Sequence, residues 1–451
     1  VGEKLTAGSD HGKREMIRAA RTGGAVRRRA GRSATQQRRS SPALSPPKQP
    51  WPLDPATYES TFNPHPVALT LPGRVYHSPE FYEHEKERVW RGSWVAAAEL
   101  VDVPEGMLRP VRVAGEEVLL TCSNGEVRAF SNVCRHRGAR LVKEPCTSAK
   151  SIVCPYHLWA YKPDGSLQGT SAAAAGGTPP LSTEAERAEA GLYPVRCEVA
   201  LGLVFVQLDG RAPPLREWLG DALDTLAPYN LDSPHIVAAH RSRFEPNANW
   251  KVLIENYMEF YHLPAVHPSL CKVSGTSEHV RAQGRGCYIG FDTDPLTDGG
   301  TPLDPGVLPP FPGIGAKNEH AAHHIAIFPN TFFSIYPNHT YRVILEAESP
   351  TRTIERATLL THSAAAASDG ADRKLAAIRD FMDNVNEEDI QICEEVQLGT
   401  SSSAYEGGRF APSEEPLHRF QNMLAKRMVG AETFRIPAGD DADDQVAAKA
   451  R

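Results

Sequence analysis

The sequence has no apolar run approaching the ~20 residues of a bilayer-spanning helix; the best, Val199–Val206, has the length of a buried strand. Cysteine is scarce, eight in 451 residues at irregular spacing. That excludes a disulfide-built scaffold and fits a reducing compartment in which some thiols hold metal. No Gly-x-Gly-x-x-Gly follows a strand and no flavin signature is present, so the chain is not expected to oxidise NAD(P)H unaided. Acidic residues are missing from 16–48, a stretch with nine Arg or Lys, several Ser and a Pro-rich end. Such an opening has the composition of an organelle transit peptide, with a disordered basic arm as the alternative. The chain nets −6, yet residues 1–50 carry +9 and the remainder −15. An acidic body argues against nucleic-acid binding, which relies on clustered cations. What is present is a hydrophobic fraction of 41%, enough for buried cores. At roughly 150 residues per domain, the length predicts two to three domains, with folding expected from Trp51.

From Trp94 to about Gly210 the pattern is β. Glu117–Cys122 and Glu126–Phe130 flank Ser123-Asn124-Gly125, and Asn-Gly between apolar runs signals a hairpin. Beyond residue 240 the character becomes α+β. A helical pattern spans Asn249–Leu263, strands fit Thr331–Tyr336, Tyr341–Glu348 and Thr353–Thr361, and a long helix fits Asp372–Leu398. The Gly/Pro-rich segment Gly299–Gly315 is expected as a lid over a site, and the last fifteen residues as a solvated acidic tail.

Cys134-Arg-His136 and Cys154-Pro-Tyr-His157 are two Cys/His pairs separated by 17 residues. Two such loops facing each other offer two thiolates and two imidazoles, a set that suits tetrahedral zinc or a [2Fe–2S] cluster. Cys122, Cys146, Cys197, Cys271 and Cys287 lack comparable partners and are read as buried thiols.

In the helical stretch, Trp250, Leu253, Ile254, Tyr257, Met258 and Tyr261 form an apolar stripe, while Glu255, Glu259 and His262 gather on another face. His267 follows five residues after His262, close enough for both imidazoles to reach one ion. The late helix places Asp389 on a stripe with Met382, Val385, Ile392, Cys393 and Val396. A carboxylate on an apolar face needs a partner, and a metal is one of few that offsets its burial. Glu387, Glu388, Glu394 and Glu395 are read as solvated. Two histidines and one carboxylate form the triad that leaves Fe(II) with open positions for O2.

Cys-x-His-x17-Cys-x2-His, with Gly138 in the first loop and Pro155-Tyr156 in the second, resembles a Rieske iron–sulfur domain. Asn249-Trp-Lys…Glu259-x-Tyr261-His262-x4-His267-Pro268 and Glu388-Asp389-Ile390…Gln397-x-Gly399 resemble the catalytic domain of Rieske non-haem iron oxygenases, over about residues 60–430. The resemblance implies an α+β protein: an all-β Rieske [2Fe–2S] domain, then a helix-grip catalytic domain with an antiparallel sheet and long helices. The expected boundaries are a basic segment 1–50, an N-terminal part of the catalytic domain 51–91, the Rieske domain 92–208, the catalytic domain 209–435 and a tail 436–451.

By the same resemblance Cys134 and Cys154 hold one cluster iron, His136 and His157 the other, and His262, His267 and Asp389 a mononuclear Fe(II) that activates O2. Glu259 takes the place of the acid bridging the neighbouring subunit's cluster to the iron site. A homotrimer is implied, with electrons from a ferredoxin or an NAD(P)H-dependent reductase. Arg135, Arg137, Arg140 and Lys143 crowd the first cluster loop and are expected to dock an acidic ferredoxin.

Family members acting on quaternary ammonium compounds have Glu in a Glu-x-Tyr-His context like Glu259–His262, whereas ring oxidisers usually have Asp. Plant choline monooxygenases carry Asp in an expanded motif, and this sequence departs from them there. An organelle-targeted protein fed by ferredoxin nevertheless suits choline oxidation in plastids. A trimethylammonium group needs an aromatic box; of Tyr257, Phe260, Phe328, Phe332, Phe333 and Tyr336, no more than two are expected to line it. An aromatic-ring oxygenase and a non-catalytic Rieske carrier are the competing expectations.

Overall fold

The computed structural model describes residues 51–148, 150–171, 181, 183–270, 279–281, 283–293 and 308–431. The basic opening, the acidic tail, Cys271 and residues 299–307 of the expected lid lie outside them.

Among the described residues, two seven-stranded antiparallel sheets organise the fold. The first runs in space as Val95–Glu99, Leu203–Gln207, Pro194–Ala200, Glu126–Ser131, Glu116–Ser123, Met107–Val113 and Cys146–Thr147. Its central hairpin turns at Asn124 and Gly125, both with positive φ (55° and 73°), so the Asn-Gly pair does what its backbone permits. A three-stranded sheet, Ile152–Val153, Ala160–Tyr161 and Leu167–Gly169, stands beside it. The second large sheet runs as Ile236–Phe244, Arg352–His362, Thr340–Ser349, Thr331–Ile335, Ala322–Ile327, Tyr288–Thr293 and His279–Arg281.

The helix Ala371–Thr400 lies along this second sheet and holds it through Asp383, which accepts from Ser242 (2.5 Å) and Tyr341 (2.9 Å). It runs antiparallel to the helix Trp250–Tyr257: Gln397 meets Asn249 at 2.8 Å, and Cys393 meets the Val252 carbonyl at 3.9 Å. Asn249 caps the shorter helix by accepting from the Lys251 N–H at 3.0 Å. Lys251 then forms a fully buried ion pair with Glu85 at 2.7 Å, which fastens the helix Pro79–Glu85 to the same core. Breaking one partner of such a pair leaves an unsatisfied buried charge.

Several expectations are corrected. The helix from Trp250 stops at Tyr257 instead of reaching Leu263, because Met258 closes the last turn back onto Ile254 and the chain becomes irregular. Tyr261 therefore leaves the apolar stripe and is 69% exposed. Glu255 parts from Glu259 and is held by Tyr76 and Gln421. Ile392 and Val396 are exposed on the outer flank of the long helix, while Met382 and Cys393 turn inward. Cys146 is exposed and Cys197 half-buried. The described end of the expected lid is packed: Leu308, Phe311 and Ile314 are buried, and Phe311 donates its N–H to the Pro337 carbonyl.

Candidate metal centres

The two Cys/His loops are built alike. In the first, the Cys134 N–H reaches the Ala139 carbonyl at 2.8 Å and Gly138 N–H returns to the Cys134 carbonyl at 3.0 Å. In the second, Cys154 pairs with Trp159 at 2.8 Å, and Leu158 returns to Cys154 at 3.2 Å. Both turns require a left-handed residue at the fourth place after the cysteine: Gly138 at φ 72° and Leu158 at φ 56°. Glycine takes that conformation freely; leucine does so against its Cβ.

The loops bring the four residues together. Cys134 and Cys154 are buried, and the His136 and His157 rings stand 4.7 Å apart, with His136 stacked on Trp159 at 4.9 Å. Among the described residues His157 Nδ1 is buried with no hydrogen-bond partner, a nitrogen left for a metal to satisfy. Tyr161 accepts from the Arg135 N–H at 3.0 Å, which leaves its own proton for the Cys134 sulfur, 3.3 Å away. Burial pushes the Cys134 thiol pKa up, and the Tyr161 hydroxyl acts against that rise. Two buried thiols and two adjoining imidazoles fit a [2Fe–2S] cluster of the Rieske type.

The second centre brackets one helical turn. His262 precedes Leu263–Val266 and His267 follows it, so a single rigid turn spaces the rings 5.2 Å apart. Asp389 Oδ1 lies 2.8 Å from His267 Nε2 and 3.4 Å from His262 Nε2, and ligand atoms of all three fall within 4.8 Å of one another. The opposite ring nitrogens are held by glutamates: His262 Nδ1 meets Glu259 at 2.5 Å, and His267 Nδ1 meets Glu388 at 2.7 Å. Glu259 also accepts from the backbone N–H of Tyr261 and of His262. Burial by itself lowers the His262 pKa, but Asp389 and Glu259 outweigh it and hold the imidazole up to about 9. The same imidazoles keep Asp389 ionised below the usual carboxylate range despite its burial. A metal would displace the protons from Nε2 while the glutamates fix Nδ1 as donor, the arrangement of a two-histidine, one-carboxylate iron site.

A cavity of about 90 Å³ opens onto the triad. Of the six candidate aromatics, Tyr257 and Tyr336 line it. Phe332 stacks behind Tyr257 at 3.9 Å, Phe260 packs on His279, Phe328 packs on Trp250, and Phe333 is part of the buried core. The wall also contains Phe291 and Phe381, which went unrecognised in the sequence, as did His279, His324 and Glu388. Phe291 packs against both His279 (5.1 Å) and His324 (4.7 Å), whose own rings lie 6.5 Å apart. Burial, with no acid to oppose it, lowers the His279 and His324 pKa values to about 4 and about 3, so both rings are neutral. Short strands offer little periodicity to predict these positions, but the neighbour of a helical ligand, such as Glu388 beside Asp389, is a readable signal.

Comparison with known proteins matches residues 93–183 to the Rieske [2Fe-2S] domain and residues 234–430 to the ring hydroxylating alpha subunit (catalytic domain). A glycine betaine monooxygenase oxygenase subunit of Pseudomonas aeruginosa is 25% identical over 397 residues, covering 80% of this chain and 90% of that protein. The chloroplastic choline monooxygenase of Atriplex hortensis is 30% identical over 370 residues, with 79% and 77% covered. Among solved structures, a quaternary ammonium Rieske monooxygenase in complex with L-carnitine superposes with a TM-score of 0.68 at 23% identity, over 83% of this chain and 99% of that one.

Proposed function

We infer the activity from one premise: the chain belongs to the Rieske non-haem iron oxygenases, the family of ring-hydroxylating alpha subunits. It is a Rieske-type terminal monooxygenase whose cofactors are a [2Fe–2S] cluster and a mononuclear non-haem iron. We assign the cluster to Cys134, His136, Cys154 and His157, and the iron to His262, His267 and Asp389, with Glu259 as the bridging acid. When bound, the cluster delivers electrons singly and the iron activates O2 for insertion into a C–H bond. The chain's own contribution is positional. Glu259 and Glu388 orient the two imidazoles, and the aromatic wall keeps water from the substrate carbon.

The substrate class is a small quaternary ammonium compound, and the aromatic cavity beside the triad carries that reading. Tyr257, Phe291, Tyr336 and Phe381 offer π-faces to a fixed cation. Choline is the preferred member. Among the described lining residues the charged groups other than histidine are Glu259 and Asp389, so a substrate carboxylate would meet like charge. The neutral His279 and His324 and the Ser334 hydroxyl suit an alcohol. Oxygen insertion into a C–H bond of the carbinol carbon would give a gem-diol, which loses water to leave the aldehyde.

Ferredoxin or a reductase as donor, a homotrimer, and a plastid address for the basic opening complete the proposal. The relative of Atriplex hortensis, named chloroplastic, supports the last. Among the described residues, no helix is long and apolar enough to cross a membrane. The experiment supplies iron-loaded enzyme with a surrogate ferredoxin and reductase, and follows product by mass spectrometry from choline, glycine betaine, carnitine and an aromatic acid. Product from choline, absent with His262→Ala, is expected. Product only from the aromatic acid would overturn the ammonium reading in favour of a ring hydroxylase.

A further inference from the structure

A second cavity, about 560 Å³, opens between the first sheet and the back of the second, and shares no described lining residue with the cavity at the triad. Its volume falls within the ~300–1,000 Å³ of small-molecule sites. Its described lining holds seven Lys or Arg against five carboxylates.

Three guanidiniums, those of Arg109, Arg241 and Arg356, gather in its lining. Arg109 and Arg241 share one carboxylate, Asp102, and Arg356 binds Glu346 at 2.6 Å. Burial, with Arg356 and Arg241 adjacent, lowers the Arg109 pKa in spite of Asp102. Of the other acids, Glu99 is engaged by the buried Arg342 and Glu348 by Arg352, which leaves Glu144 exposed on the rim. Arg112 and Lys143 also line the cavity, and among the described residues neither is paired with a carboxylate. Lys86 and Arg243 find their partners outside the lining, in Glu83 and Glu245, so the excess of positive charge rests on Arg112, Lys143 and the two guanidiniums that share Asp102, in a recess that leaves Arg241 and Arg356 half-exposed. Guanidinium forks match tetrahedral oxyanions in geometry as well as charge.

We propose that this recess binds a small dianion of the phosphate-ester class, held by Arg109, Arg241 and Arg356 between the two sheets. A ligand there touches strands of both, so its binding ties the cluster-bearing sheet to the sheet that supports the triad.

Phenyl phosphate and phenyl sulfate have nearly the same shape but differ in charge, because the phosphate's second pKa is about 6 and it is a dianion at about pH 8. Isothermal titration of the full-chain holoenzyme at that pH is expected to give saturable phenyl phosphate binding at one site per chain. Phenyl sulfate should bind about tenfold more weakly, the scale of one lost charge-assisted contact. Arg241→Gln and Arg356→Gln, both at half-exposed positions, should each weaken phenyl phosphate by a similar factor while the cluster's visible spectrum is unchanged. Absence of saturable heat, equal affinity for the two esters, or unaltered binding in both variants would overturn the proposal.

Discussion

Glu388 Oε2 lies 2.7 Å from His267 Nδ1, the ring nitrogen turned away from Asp389. It mirrors Glu259 on His262, so each candidate ligand ring is gripped by a carboxylate from behind. The two grips differ in exposure: Glu259 is buried, and Glu388 is 47% exposed. Loss of such an outer partner typically weakens metal binding by about 10–100-fold. Glu388→Gln is therefore expected to lower Fe(II) affinity on that scale, measured by metal titration, with the cluster's potential unmoved.

Removing ligands should separate the two centres. With the ligand assignment proposed above, the loaded chain holds about three irons. His262→Ala should fall to about two and keep the cluster's absorption, whereas Cys154→Ser should lose that absorption and keep mononuclear iron. Iron counting beside visible spectra checks both.

Tyr161 donates to the sulfur of Cys134, and with that sulfur as a cluster ligand, as proposed above, such a bond would stabilise the reduced, more negative cluster. A net hydrogen bond of about 1 kcal/mol corresponds to roughly 40 mV for one electron. Tyr161→Phe should therefore lower the potential by about that amount, as read by spectroelectrochemistry.

Of the four basic residues expected to meet a ferredoxin, Arg135 is engaged by the Gly191 carbonyl and lies over the Tyr193 ring. Arg137 and Arg140 remain exposed, the latter 3.6 Å from Glu117. Reversing both charges is expected to slow cluster reduction several-fold and flatten its salt dependence in stopped-flow traces. An unchanged rate would remove this loop from the docking surface.

Glu355 is fully enclosed, and burial pushes its carboxyl up to about 7, with Asn386 donating to it. Its folded pKa exceeds the ordinary value, so the folded chain binds the extra proton and stability falls as pH rises from about 4.5 to 7. Glu355→Gln should remove that slope and raise stability by up to about 3 kcal/mol at pH 8. Denaturant melts at several pH values test it.

The two Cys/His loops are legible because Cys and His at fixed spacing lie on turns whose geometry is local; the Gly138 conformation follows from the same turn. The long helix is legible from periodicity, within one to two residues at each end. Asp389 can be found because a carboxylate stands on an apolar face. The stop at Tyr257 was hidden, since nothing in the periodicity of Trp250–Met258 marks where tertiary packing ends a helix. Glu388 reads as solvated and is 47% exposed, but solvation does not reveal that its outer position still reaches His267. The aromatic wall, drawn from Phe291 and His324 on neighbouring strands and Tyr336 just past the end of a third, depends on strand pairing that local patterns do not encode.

His267 and Asp389 stand 122 residues apart in sequence, and every strand of the second large sheet except Ile236–Phe244 lies between them. An ion held by both would close a loop around those strands: it restricts the freedom of the unfolded interval, and ligand that binds only the folded form shifts the balance against unfolding. Protease resistance of the whole sheet thereby becomes a gauge of iron supply. Chains made when iron is short would be the first to be degraded.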